Sequence, residues 1–262
     1  MSLLPREHGA YGQMAFPLIT SFAVAGVTTP ALLIAFGVVA GFLAHEPLLV
    51  LLGRRGLRAS REQWRRAAVC LAVASATAVA AEFVAFWSVP LSIRWWFLLP
   101  LMPAAVLAAA ITTDREKSSQ AEVAVALAFS LVAVPVCLAA GASTDSALAV
   151  GIAFASIFVT GTLAVRVIVL QVRGGGDPRA ARTARVTVLV LTTAAGAGLV
   201  ATAWRGLLPW TALLAASPGL VSAGWLAWLP PSPTRLRRVG WTLVTTSAAA
   251  ALILIAGVAG GR

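Results

Sequence analysis

The chain has 262 residues, of which 60% are hydrophobic and only 11% charged, and its mean hydropathy is +0.90. A soluble domain carries about 25% charged residues, so a globule surrounded by water is excluded; at about 20 apolar residues per span the chain has room for about nine membrane helices and little else. The net charge is +11, and 19 of the 20 basic residues are arginine. These lie in short segments between apolar stretches, as topology signals do, so nucleic acid is excluded as a partner and membrane lipid is implied.

In chain order the sequence predicts spans over about 14–28, 31–52, 67–87, 95–113, 121–141, 146–172, 186–204, 207–229 and 239–259, with 1–262 as a single transmembrane domain. Only helices or a closed barrel satisfy backbone groups in lipid. The long apolar runs lack the alternation of a barrel, so the fold class is an all-α integral membrane protein.

Before the first span comes Pro5-Arg6-Glu7-His8-Gly9-Ala10-Tyr11-Gly12-Gln13, with no small-residue cleavage site, so no cleavable signal is expected. Packing Arg, Glu, His, Tyr and Gln against a membrane helix is costly, which makes Arg6, His8 and Tyr11 candidate ligand-binding residues. Near the end of span two stands His45-Glu46-Pro47. An ionisable pair there must face the bundle interior or water, and His and Glu are suited to proton transfer; His45 and Glu46 are the candidate catalytic pair. Two such residues alone do not specify a metal site, so no metal ligands are assigned and no cofactor is identified.

The segment 54–66, RRGLRASREQWRR, reads as a short interfacial helix capped at Ser60 with Trp64 dipping into lipid. Glu82, toward the other end of span three, reads as a structural residue paired with an outer arginine. Between spans four and five, Asp114-Arg115-Glu116-Lys117-Ser118-Ser119-Gln120-Ala121-Glu122 runs into a helix start, where anions are favoured. Arg115, Lys117, Gln120 and Glu122 are therefore candidate ligand contacts. Arg166, inside span six, joins them as a charge that must snorkel or find a partner. The segment 173–185 reads as a long basic loop. Cys70 and Cys137 fall within spans and read as small buried apolar residues. Tryptophans 87, 95, 96, 204, 210, 225, 228 and 241 stand near span ends, as interfacial anchors do.

With the N-terminus placed in the cytoplasm, 16 of the basic residues fall on the cytoplasmic side and three on the other, with Arg166 inside a span. That split assigns a multi-pass membrane protein with its N-terminus in the cytoplasm.

The opening PREHGAYGQMAFPL resembles the signature of the YwiC-like family of bacterial membrane proteins. More distantly, the chain resembles the UbiA-type intramembrane prenyltransferases, in nine spans, a cytoplasmic N-terminus, enlarged loops after spans two and six, Arg6 and Pro17 near the start, and Arg115, Lys117 and Gln120 after span four. That resemblance implies a UbiA-like bundle and a diphosphate held at the span four–five connection. It departs where such enzymes carry aspartate-rich, magnesium-binding motifs: this chain has His45, Glu46, Arg54 and Arg55 at the first place and Arg166, Gln171 and Arg173 at the second. The expected function is binding or modifying an isoprenoid or other amphiphilic anionic ligand at the cytoplasmic face without those motifs. The alternative is a transporter or a scaffold subunit of a membrane complex. Whether the protein is an enzyme does not follow from the sequence, nor does any protein partner.

Overall fold

The computed structural model describes residues 3–5, 8–115, 118–172, 178–232 and 236–259. Its helices are α1 (His8–Ala25), α2 (Thr29–Leu51), α3 (Leu57–Ser88), α4 (Leu91–Arg94), α5 (Leu98–Thr112), α6 (Ser119–Leu131), α7 (Ala133–Ala139), α8 (Thr144–Val172), α9 (Pro178–Trp204), α10 (Trp210–Trp228) and α11 (Leu236–Ala259). A 3₁₀ turn, Trp95–Phe97, joins α4 to α5, and α7 follows α6 after one residue. Among the described residues this gives nine helical rods. Eight are long and apolar enough to cross a membrane; α1, with 18 residues and a length of about 27 Å, is the ninth.

α8 is the hub, packing on α1, α6, α7, α9, α10 and α11. Its residues Ala147, Val150, Ala153, Phe154 and Ile157 are fully or almost fully buried. The approach of α10 is close enough that a Cβ at Gly219 would stand 2.6 Å from Ile157; small residues permit such helix contacts in lipid, where hydrophobic burial between helices gains little. α2 packs chiefly on α3, and a Cβ at Gly37 would stand 2.7 Å from the Glu82 carboxylate. α3, α5, α9 and α11 form the outside of the bundle and expose Val73, Phe83, Met102, Val190 and Leu252. Six of the tryptophans named above as anchors, including Trp87, Trp204 and Trp241, are also on that outer surface and more than half exposed.

Three sequence expectations are corrected. The first helix starts at His8 rather than 14, so Gly9 to Gln13 are helical. The segment 54–66 is not a separate interfacial helix. α3 begins at Leu57 and continues to Ser88, and the Ser60 N–H bonds the Gly56 carbonyl as part of the first turn. At 32 residues, α3 is about 48 Å long, against about 30 Å of hydrocarbon, so its arginine-rich first turns project beyond the span. α9 likewise begins at Pro178, so 178–185 of the expected loop are helical, and 173–177 lie outside the described residues. The enlarged loops after spans two and six are mostly helix. Cys70 is half-buried and Cys137 buried, both as free thiols.

Candidate functional site

Alternation of the rods brings the end of α2, the start of α3, the end of α5, the start of α6 and the end of α8 to one face, here called the basic face. Side-chain bonds tie them together. α2 ends in a turn whose left-handed residue is Gly53, with φ 73°; α5 ends in the same way at Asp114, with φ 63°. In each turn the next N–H, of Arg54 or Arg115, closes on the carbonyl five residues back, Leu49 at 2.9 Å and Ala110 at 2.8 Å. Asp is one of the few residues other than glycine that adopt this conformation readily. The two turns are joined, because Arg54 forms an ion pair with Asp114 and donates to the Ile111 carbonyl at 3.5 Å.

Arg55 reaches back to Glu46 in a two-pronged pair, Nε to Oε1 at 2.8 Å and Nη2 to Oε2 at 2.5 Å. The Glu46 side chain is 1% exposed and that of Arg55 21%. Burying a carboxylate is tolerable only with such a partner, and the planar guanidinium matches both oxygens. His45 is half-buried; successive residues point about 100° apart around a helix, so His45 and Glu46 do not address one point. Pro47 stays within α2.

Arg166 donates to Glu122 at 3.1 Å, joining α8 to α6. One turn along α8, Thr162 accepts from Gln13 of α1 at 3.1 Å. Two polar bonds are thus stacked on one stripe of α8. An aromatic seam crosses α1, α2 and α6: Tyr11 meets Phe42 edge-on at 4.8 Å, and Phe42 meets Phe129 at 5.6 Å. Phe42 and Glu46 are four apart on α2, and Glu122 and Phe129 seven apart on α6, so each helix presents an aromatic and a carboxylate on a shared stripe. The Tyr11 hydroxyl donates to the Pro5 carbonyl at 3.1 Å, pinning the entry segment to α1.

The candidates named from sequence divide accordingly. Glu46, Tyr11, Glu122 and Arg166 have partners in the bundle at this face. Arg115 and Gln120 are exposed, and α6 is capped by Ser118, whose Oγ accepts the Ala121 N–H at 3.2 Å. Arg6, Lys117 and Arg173, and the side chains of His8 and Gln171, lie outside the described residues. Among the described residues Glu82 forms no ion pair with an outer arginine. Arg94 instead donates to the Val89 carbonyl and stacks over Phe86 and Trp87. Among the described residues no hydrogen bond or ion pair joins His45 to Glu82, the path a transporter reading would need. The sequence reading missed Arg55, Asp114, Gln13 with Thr162, and the Phe42–Phe129 seam. Arg55 is one of six arginines in its segment, and Gln13 and Thr162 are 149 positions apart, so no local signal singles them out.

Residues 4–137, just over half of the chain, match the family model described as YwiC-like protein. No curated protein matches the chain, and no solved structure does.

Proposed function

The chain belongs to the YwiC-like family, and from that premise we propose that this multi-pass protein lies in the bacterial inner membrane, N-terminus cytoplasmic, and binds an isoprenoid or similarly amphiphilic anion at the basic face. The carrying observation is the Arg166–Glu122 pair on the same α8 stripe as the Gln13–Thr162 bond. A guanidinium six residues inside the end of α8 is about 9 Å from that end, deeper than a topology signal requires. An incoming anionic head competes with Glu122 for Arg166, and charge-assisted bonds of this kind are the strong ones. The apolar tail follows the seam of Tyr11, Phe42 and Phe129, whose rings offer area at little entropic cost. His45 is the proton-carrying group left available, since Glu46 is engaged by Arg55. The reading shares its ligand class with the prenyltransferases that the sequence resembles, without their aspartate-rich motifs.

The test uses the full chain purified in mild detergent. Lipids retained by the wild type and by Arg166→Gln are compared by mass spectrometry, and binding of farnesyl diphosphate is titrated against both. The expected result is an anionic amphiphile retained by the wild type and depleted in the variant, with affinity for the probe lowered about tenfold or more. Identical lipid complements and equal affinities would overturn the proposal.

A further inference from the structure

Residues 178–262 contain eight arginines and no aspartate or glutamate. Arg182, Arg185, Arg237 and Arg238 are ordered on α9 and α11, with no carboxylate partner among the described residues. Their charge is therefore met from outside α9, α10 and α11. Two open grooves flank α10 in the same region. One, of about 560 Å³, lies between α10 and α11 and is lined by Ser217, Val221, Trp225, Arg238 and Thr242 among others. The other, of about 470 Å³, lies between α9 and α10 and shares Ser217, Val221 and Trp225 with the first. Its α9 wall includes Leu189, Thr192 and Gly196. Arg185 precedes Leu189 by four residues and so continues that stripe toward the basic face. Arg238 stands at the corresponding end of the first groove, at the start of α11. The first groove is thus headed by a guanidinium, the second has one a helical turn beyond its lining, and the exposed Trp225 ring lies between them.

We infer that the grooves on either side of α10 seat an anionic phospholipid of the leaflet at the basic face, its phosphate held by Arg185 and Arg238 and its acyl chains lying along α10. An acyl chain fits an open, largely apolar groove between helices. A phosphate answers the uncompensated arginines, and Trp225 is placed at the head-group level where indole is favoured. A basic pocket between spanning helices is the chemistry that selects an anionic head group over a zwitterionic one. This site stands apart from the Arg166 cluster, and neither reading depends on the other.

The test is native mass spectrometry of the full chain titrated with dioleoyl phosphatidylglycerol or dioleoyl phosphatidylethanolamine. The wild type is expected to retain phosphatidylglycerol preferentially. Arg185→Gln with Arg238→Gln is expected to lower that affinity about 25-fold, at about fivefold per guanidinium. Ser217→Phe, which fills the space common to both grooves, is expected to lower it with both arginines intact. Arg61→Gln with Arg65→Gln, at exposed positions on α3, is expected to leave it unchanged. Equal retention of the two lipids by the wild type would overturn the proposal. So would an equal loss in the α3 variant, which would mean diffuse attraction, or an unaltered affinity in Ser217→Phe, which would mean a head-group contact without a seat.

Discussion

The first two thirds of the chain and its last third handle the same residue type in opposite ways. Up to residue 177, 12 basic residues stand with all nine acidic ones. Three of those arginines are spent on carboxylates that link one element to another: Arg54 on Asp114, Arg55 on Glu46, Arg166 on Glu122. Beyond residue 177 come eight arginines and no acidic residue, and the helices there pack closely through small residues, with Gly257 of α11 against Thr211 of α10 and Gly219 of α10 against Ile157. The first region sets nine acidic residues against its 12 basic ones and is cross-tied at the basic face. The second has no acidic residue of its own to set against its eight arginines. An arginine near a span end therefore has two physical meanings, and only its surroundings tell which applies. The family match ends at residue 137, within the cross-tied region.

The comparison is best broken at Arg55. Arg55→Gln leaves the carboxylate of Glu46 buried opposite a neutral side chain, and the expected loss is about 3 kcal/mol, read as a lowered unfolding midpoint in detergent. The double variant Glu46→Gln, Arg55→Gln recovers most of it, because a buried pair of neutral amides has no charge to desolvate. A single variant as stable as the wild type would mean that this pair does not brace the end of α2. The matching change in the second region is Gly219→Val. Its added atoms meet Ile157, and overpacking of that sort costs about 2 kcal/mol; tolerance of valine by the same measurement would show that α8 and α10 slide apart freely.

Glu122→Gln comes next. The pair with Arg166 is about a third exposed on both sides, so its loss is expected to cost no more than about 1 kcal/mol. Its sharper readout is ligand affinity, which should rise as Arg166 is freed from its competitor, the opposite of the effect of Arg166→Gln. The smallest change is expected for Asp114→Asn. Asparagine accepts the same left-handed conformation, and the Asp114 side chain is 70% exposed, so the stability difference should fall within about 0.5 kcal/mol. A large loss there would make the joined turns of α2 and α5 a structural keystone.

Much of the fold was legible because each apolar run must be a helix in lipid and the arginines mark alternate connections. The boundaries were less so. A sequence window ends a span where hydropathy falls, but an amphipathic or basic helix continues past the membrane surface, as α3 does from Leu57 and α9 from Pro178. The site was legible in kind: Glu46, Glu122 and Arg166 stood out as charges inside or beside spans. Their partners did not. Arg55 hides among five neighbouring arginines, and Phe42 and Phe129 are ordinary members of apolar runs.

Composition and charge placement by themselves determined a helical membrane protein with one basic face, because lipid leaves the backbone no other way to satisfy its polar groups and the loops no other place for arginine. Which guanidinium meets which carboxylate was decided only by the tertiary structure. Gln13 and Thr162, or Glu122 and Arg166, become neighbours because α1, α6 and α8 pack together, and packing between helices in lipid is set by side-chain shape, which no hydropathy pattern records.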